Sequence, residues 1–205
     1  MKYSDNDLNT LRKLVSKRMS EKRFQHTLGV EECAKSLAEI LIPDIADQVS
    51  SAALLHDIAK EIPIDEQIEI LNRDHFPLTD EDIATDGIIH SFTAGSVIKN
   101  EFPDFATDEI LSAIEKHTVG SSDMSIFDKI IFLSDYIEPN RKFQSCVEVR
   151  EYMLCNIEAL SCDVIAEKLN KACLMAIDGS IDALKAQNKA INSRMYETKK
   201  SLLKK

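Results

Sequence analysis

An adjacent histidine and aspartate, His56-Asp57, end an apolar run and are followed by Lys60. Neighbouring side chains on a helix point about 100° apart, so both can reach one ion at the end of a helix. Two ligands do not hold a metal, and the remaining candidates lie in or beside other predicted helices: His26, His90, His117 and Asp135. Together they predict a metal site. The alternative for His56-Asp57 alone is a hydrogen-bonded pair in the core.

The types of these side chains restrict the metal. Histidine nitrogen combined with carboxylate oxygen suits Fe(II), Mn(II) or Zn(II), whereas Mg(II) prefers oxygen ligands only. A structural zinc site is disfavoured because the five cysteines show no C-x-x-C spacing. We expect buried free thiols at most of them and a reducing, cytoplasmic setting; they are Cys33, Cys146, Cys155, Cys162 and Cys173.

Composition indicates a globular, helical protein that binds neither membranes nor nucleic acids. The chain has 205 residues, 44% of them apolar, with only five glycines and five prolines, which favours long helices over many strands. The net charge of −10 argues against a sequence-independent nucleic-acid binder, although a local basic pocket remains compatible with it. No stretch approaches the roughly 18 apolar residues of a membrane span.

Apolar periodicity and helix caps predict one all-α domain over residues 1–205. We divide it into a metal-site core of about 15–145, C-terminal helices within about 146–190 (147–155 and 161–186), and a basic tail at 191–205, of which 199–205 is expected to be frayed. The expected N-caps are Ser4, Ser20, Thr79 and Ser125. A solvated, acidic helix start is expected at Asp80, Glu81, Asp82 and Asp86.

The candidate ligands follow one another as H…HD…H…H…D, within recognisable segments. These are Arg23-Phe24-x-His26-Thr27, Leu54-Leu55-His56-Asp57-x-x-Lys60, Glu115-Lys116-His117-Thr118-x-Gly120 and Ile131-Phe132-Leu133-Ser134-Asp135-Tyr136-Ile137-Glu138-Pro139-x-Arg141. The order resembles the HD-domain metal-dependent phosphohydrolases. Over about residues 15–190 the segments are similar to the YqeK family of bacterial enzymes. One segment departs from that family: His90-Ser91-Phe92-Thr93-Ala94-Gly95 stands where a His-Gly-Pro-Val-Gly-Ala-like string is common.

The resemblance implies a single HD-domain helical bundle that hydrolyses a phosphoric anhydride bond. The expected reaction is the symmetrical cleavage of diadenosine tetraphosphate into two ADP, with iron as the favoured metal. The first ion would be held by His26, His56, Asp57 and Asp135. Two roles stay open for His90 and His117: they hold a second ion bridged by Asp57, or they bind phosphate or donate a proton to the leaving group.

Several further side chains are predicted to contact the substrate. Lys60 lies at i+3 from Asp57, faces the same site, and is a catalytic candidate together with His90 and His117. The guanidinium groups of Arg23 and Arg141 match phosphate geometry. Thr118 offers a hydroxyl to phosphate or caps its helix. The metal-site residues His26, Asp57, His90, His117 and Asp135 are expected to touch the substrate as well.

Two other functions compete with this one. The first is a different nucleotide phosphohydrolase or phosphodiesterase of the HD superfamily. The second is a non-enzymatic nucleotide sensor, which is disfavoured because all the candidate ligand positions are intact. The expected partners are a dinucleoside polyphosphate and the product ADP, and a homodimer fits a bundle of this size. Adenine could stack on Phe92, Phe143 or Tyr136.

Overall fold

The computed structural model describes residues 2–85 and 87–204. These residues form eleven α-helices and no strand, so the predicted all-α class is confirmed. The helices are α1 (Asp5–Val15), α2 (Glu21–Leu41), α3 (Ala46–Leu55), α4 (Ile64–Arg73), α5 (Asp80–Ala84), α6 (Ile89–Glu101), α7 (Asp108–Lys116), α8 (Ile126–Ile137), α9 (Gln144–Leu154), α10 (Cys162–Ala186) and α11 (Ser193–Leu202).

Helix α3 lies at the centre and packs against α1, α2, α7 and α8. Its small side chains let the neighbouring helices approach closely, and Ala52, Ala53 and Leu54 are completely buried. The helix ends at Leu55, and the chain continues in short turns, in which the Ile58 N–H donates to the Leu55 carbonyl at 3.1 Å. The His56-Asp57 pair therefore lies at a buried helix end, surrounded by other helices.

The predicted N-caps are confirmed. The side chains of Ser4, Ser20, Thr79 and Ser125 each accept a hydrogen bond from a backbone N–H in the first turn of the following helix. At Ser4, Thr79 and Ser125 an aspartate in the first turn bonds back to the cap, which makes a reciprocal capping box. The C-terminal helix predicted for 161–186 corresponds to α10, whereas α9 begins earlier than expected, at Gln144.

The prediction that 199–205 is frayed is wrong for 199–202, because residues 193–202 form helix α11. One face of this helix is buried through Met195, Thr198 and Leu202. The Thr198 hydroxyl donates to the Val119 carbonyl at 2.9 Å, beyond the end of α7. The sequence of this helix has few apolar residues and many charges, so it shows no clear apolar periodicity. Its stability depends instead on contacts with residues far away in the chain. The partition of 1–205 into core, C-terminal helices and tail stays a prediction.

The acidic start of α5 is only partly solvated. Asp80 and Glu81 are exposed as expected, but Asp82 is 1% exposed. Burial raises the pKa of Asp82, yet hydrogen bonds from Thr79 and Asn192 and the charge of Arg194 lower it overall. The predicted solvation of Asp82 is therefore wrong, because this carboxylate joins α5 to the N-terminus of α11. The fourth acid, Asp86, lies outside the described residues.

We expect Asp82→Ala to lower the free energy of unfolding by about 2–3 kcal/mol, since it removes the capping box of α5 and the contacts with α11. Asn192 Nδ2 donates to Asp82 Oδ1 at 3.1 Å, and Arg194 lies 3.2 Å from Oδ2. Urea unfolding followed by circular dichroism measures the effect. Asp80→Ala in the same turn is the control and should change stability little. Equal losses in the two variants would contradict the role of Asp82.

Two further predictions can be compared with the structure. The five cysteines are free, but only Cys146 and Cys173 are buried, while Cys155 and Cys162 are exposed, so the expected burial is wrong for these two. Cys155 directly follows α9, and Cys162 is the first residue of α10. Across the described residues, every helix falls short of the length and apolar character that a membrane crossing demands.

Candidate metal centre

Five helices or helix ends bring the predicted ligands to one place. His26 lies on α2 and Asp135 on α8, while His90 lies in the first turn of α6. His56 and His117 occupy the C-terminal caps of α3 and α7. Most of these side chains are almost fully buried, and the most accessible, Asp135, is 20% exposed. The residues brought together are His26, His56, Asp57, His90, His117 and Asp135.

The first group of donors surrounds one point between α2, α3 and α8. His26 Nε2 lies 3.0 Å from Asp135 Oδ1 and 3.7 Å from Asp57 Oδ2. His56 Nε2 lies 3.3 Å from Asp57 Oδ2 and 4.0 Å from Asp135 Oδ1. His26, His56 and Asp57 thus place three donor atoms within 4.8 Å of one another, as a single ion requires, and Asp135 Oδ1 lies beside both histidine nitrogens.

A second group uses the other oxygen of the same aspartate. Asp57 Oδ1 lies 3.1 Å from His90 Nε2 and 3.7 Å from His117 Nε2, and the two Nε2 atoms are 3.1 Å apart. Asp57 therefore presents one oxygen to each group of histidines. The two groups of donors therefore share this carboxylate.

Hydrogen bonds on the far side of three rings determine which nitrogen carries the proton. His56 Nδ1 lies 2.7 Å from the Ala53 carbonyl, and His117 Nδ1 lies 2.6 Å from the Ile114 carbonyl. A carbonyl only accepts, so in both rings Nδ1 donates and Nε2 of the neutral ring presents a lone pair to the centre. His26 Nδ1 likewise faces a carboxylate oxygen of Glu138, at 3.2 Å.

When the rings of the first group are neutral, their inward atoms are lone-pair nitrogens that face carboxylate oxygens. Burial lowers the pKa of His56, but the charges of Asp57 and Asp135 outweigh it and raise that pKa, so this group attracts positive charge. His26 Nε2 and His56 Nε2 are buried and have no hydrogen-bond partner among the described residues. Burial raises the pKa of Asp57, but the surrounding histidines outweigh it and hold that pKa well below its usual range. The charge of Arg141 does the same for the pKa of buried Asp135. Lone pairs and negative charges that face one another in a buried site fit a divalent cation.

Similarity to known proteins supports a metal site of the HD type. Residues 23–140 match the family model described as HD domain. A Halalkalibacterium halodurans protein named bis(5'-nucleosyl)-tetraphosphatase, symmetrical, is 37% identical over 139 residues, which are 67% of this chain and 72% of that protein. A Bacillus subtilis protein of the same name is 34% identical over 137 residues, 67% of this chain and 72% of the relative. The chain belongs to this family of HD-domain proteins.

A solved structure extends the similarity to the C-terminal helices. It is described as a predicted HD superfamily hydrolase involved in NAD metabolism, from Clostridium acetobutylicum, and shares 30% identity and a TM-score of 0.81 over 96% of both chains. The predicted family resemblance and the HD-domain fold are thus confirmed, and the chain is a hydrolase of the metal-binding HD type.

Cationic side chains lie beside the HD-domain centre. Arg23 Nη1 lies 2.7 Å from Asp57 Oδ2, and Arg141 Nη2 lies 2.7 Å from Asp135 Oδ1. The Nε atoms of both arginines are buried without a hydrogen-bond partner among the described residues. Each guanidinium thus has a donor left for an oxygen of a bound ligand.

Lys60 lies beside the second group of histidines. Its Nζ is 3.3 Å from His90 Nδ1 and 3.4 Å from His90 Nε2, so it is almost equally far from the two ring nitrogens. It also donates to the Gly87 carbonyl at 3.4 Å. Burial lowers the pKa of Lys60, and burial likewise lowers the pKa of His90 to about 4, with the positive charge of Lys60 contributing. His90 is therefore neutral near pH 7.

Three cavities reach the centre, one of about 500 Å³ at His90 and Lys60 and two larger ones that share Arg141. We call the first of these two the basic cavity; it has a volume of about 870 Å³ and is lined by Ser20, Lys22, Arg23, Gln25, His26, Glu61, Glu138, Asn140, Arg141, Lys142 and Phe143. The other, the apolar cavity, has a volume of about 680 Å³ and reaches the centre at His117 and Asp135. Its apolar part is lined by Ile88, Val119, Phe132, Tyr136, Leu184 and Met195. Arg141 and Phe143 line both cavities.

The remaining predicted contacts separate in space. Thr118 lines the apolar cavity, and its hydroxyl lies 3.2 Å from Ser91 Oγ. Tyr136 and Phe143 line that cavity as well. Phe92 does not, because its buried ring stacks on Phe76 with centroids 5.1 Å apart. The expectation that Phe92 stacks on a base is therefore wrong, since its ring is buried in the core against Phe76.

Sequence reasoning assigned no role to Glu138, which is 2% exposed beside the centre. Its Oε1 faces His26 Nδ1, and its Oε2 accepts the Asn140 N–H at 2.7 Å. Gly29, one turn after His26 on α2, leaves the space that Glu138 occupies, because a Cβ there would lie 2.5 Å from Oε2. The i+3 spacing between Asp135 and Glu138 was the available signal, since it places both carboxylates on one side of the chain.

Proposed function

We propose that this chain hydrolyses diadenosine tetraphosphate symmetrically to two ADP, in a metal-dependent reaction. The bridging position of Asp57, with one oxygen facing each histidine group, carries the proposal, and the names of the relatives support the substrate. Water adds to one of the two inner phosphorus atoms, and the bond from that atom to the central bridging oxygen breaks. One ADP takes the oxygen of water and the other leaves with the bridging oxygen.

In this proposal His26, His56, Asp57 and Asp135 hold the first ion. A bound divalent ion lowers the pKa of water and neutralises charge that builds up on the phosphoryl oxygens. The mixed nitrogen and oxygen donor set supports Fe(II), with Mn(II) or Zn(II) as alternatives, and the family resemblance favours iron. Metal analysis of protein purified without oxygen tests this identity.

We assign His90 and His117 to a second ion. The support is geometric: both Nε2 atoms face Asp57 Oδ1, and the His117 ring has its lone pair directed inward. The other role, phosphate binding with proton donation, predicts one ion for each chain instead of two. The metal stoichiometry therefore distinguishes the two assignments.

The cationic side chains would hold the polyphosphate. Arg23, Lys60 and Arg141 lie around the centre, and the two guanidinium groups have unpaired donors directed into buried space. Fixed positive groups of this kind position the phosphates and reduce their mutual repulsion. Thr118 can add a hydroxyl from the apolar cavity.

The free cysteines agree with a reducing compartment, and we propose a cytoplasmic location.

The decisive experiment is a product assay. Protein purified without oxygen and supplied with Fe(II) is incubated with diadenosine tetraphosphate, and the nucleotides are separated. ADP as the only product is expected. ATP together with AMP would retain a metal hydrolase but contradict attack at an inner phosphorus. Absence of product with fully metallated protein would favour a different nucleotide substrate of the HD superfamily.

A homodimer stays a prediction, and light scattering of the purified protein measures the oligomeric state.

Replacing Arg141 by alanine should raise KM about tenfold or more, because a charge-assisted contact with phosphate is lost. We expect a smaller change in kcat if the contact is equally strong in the ground state and the transition state. Steady-state kinetics measure both parameters. Metal content is the control, since Arg141 also contacts Asp135. Unchanged KM and kcat would exclude Arg141 from the substrate site.

A further inference from the structure

The two larger cavities meet different parts of the centre. The basic cavity reaches it at His26, which belongs to the first donor group, and the apolar cavity reaches it at His117, which belongs to the second. Arg141 lines both, and it contacts Asp135 between them. A ligand whose phosphates lie across the centre would therefore have one end in each cavity.

The volumes agree with one nucleoside in each cavity. About 870 Å³ and about 680 Å³ both fall within the range of roughly 300–1,000 Å³ that is usual for small-molecule sites. The chemistry of the two cavities differs. Aromatic and aliphatic side chains such as Phe132, Leu184 and Met195 line the apolar cavity and suit a purine, whereas long cationic side chains line much of the basic cavity.

The basic cavity concentrates positive charge on a chain whose net charge is −10. Four of its lining residues are cationic: Lys22, Arg23, Arg141 and Lys142. Its two acids are already engaged. Glu61 accepts hydrogen bonds from Ser20 N and Oγ at 2.6 Å each, and Glu138 is bonded to His26 and Asn140. The cavity therefore favours an anionic ligand such as a phosphorylated nucleoside.

Phe143 provides an aromatic surface at the edge of this cavity. It is 73% exposed, more than any other large apolar side chain among the described residues, and it directly precedes α9. Stacking of a base on an aromatic ring contributes about 1–3 kcal/mol without requiring a particular base. An exposed ring at the rim of a basic cavity matches a nucleoside that remains partly in solvent.

We propose that the basic cavity is the subsite for the second nucleoside of a dinucleotide, with its base stacked on Phe143, while the first nucleoside lies in the apolar cavity. The inference rests on the proposed function and deepens it, because it identifies what selects a dinucleotide over a nucleotide with one base. Phe143 lines both cavities, and the proposal assigns its ring to the second base. A nucleoside polyphosphate would then fill the apolar cavity and the centre and leave this ring and the basic cavity unoccupied.

The test compares diadenosine tetraphosphate with adenosine 5'-tetraphosphate, which carries the same phosphates and a single nucleoside. We expect the wild type to prefer the dinucleotide in kcat/KM. In Phe143→Ala this preference should fall about tenfold, through a loss confined to the dinucleotide. Leu154→Ala, an apolar substitution at a 41% exposed position at the other end of α9, is the matched control and should leave both substrates unchanged.

The outcomes separate the two levels of the proposal. A wild type that hydrolyses both substrates equally well has no subsite for the second nucleoside, and the inference fails while the hydrolase stands. Equal losses for both substrates in Phe143→Ala, or an effect of the same size in Leu154→Ala, would also overturn it. A wild type that does not cleave diadenosine tetraphosphate at all would refute the proposed function itself.

Discussion

Asp57→Asn is expected to leave the protein with little bound metal and to lower kcat for diadenosine tetraphosphate by at least about a thousandfold. The reason is that both oxygens of Asp57 are used: Oδ2 faces His26 and His56, and Oδ1 faces His90 and His117. An amide keeps the shape but replaces one oxygen with a donor and removes the negative charge. His56→Ala should act in the same direction through the first group alone.

The measurement combines metal analysis, turnover and circular dichroism on the same preparation. Asp128→Asn is a matched control, since Asp128 is equally buried but accepts hydrogen bonds from Ser112 and Ser125 and contacts Lys116, away from the centre. The control should retain its metal. Full activity in Asp57→Asn, or metal loss of the same extent in Asp128→Asn, would refute the assignment of Asp57.

Helices with strong local signals were predictable from sequence. Caps such as Ser4 and Ser125 act within one turn, so the residues that determine them are close together in the chain. Helix α11 shows the opposite case. Its N-terminus is bonded to Glu81, which accepts from Ser193 N at 2.7 Å across 112 positions of sequence. Periodicity alone contains no information about such a contact.

The identity of the site residues was also predictable from sequence, whereas their orientation was not. The order of histidines and aspartates predicted which candidate ligands the fold brings together, because each of these side chains is itself a possible metal donor. The sequence did not predict how the ligands are oriented, since that depends on backbone carbonyls such as those of Ala53 and Ile114. Phe92 also escaped prediction, because stacking on a base and stacking on Phe76 require the same kind of residue.

Gly29→Ala is expected to weaken metal binding by about 10- to 100-fold, although alanine is the better helix former by about 1 kcal/mol. The added Cβ would lie 2.5 Å from Glu138 Oε2 and 3.3 Å from Asn140 Nδ2, so the Glu138 carboxylate must move. His26 would then lose the acceptor that keeps its proton on Nδ1 and its Nε2 lone pair directed at the centre. The effect is therefore on ligand orientation, while the ligands themselves remain.

Gly95→Ala is the matched control, because Gly95 is also inside a helix and its added Cβ would meet only Leu111 Cδ2, at 4.0 Å. This variant should keep its metal affinity and gain stability from helix propensity. Affinity is measured by competition with a chelator of known strength, and thermal unfolding is recorded in parallel. Glu138→Gln should also bind metal less tightly, since a neutral amide is a weaker acceptor for His26. Wild-type affinity in both Gly29→Ala and Glu138→Gln would show that His26 is oriented without Glu138.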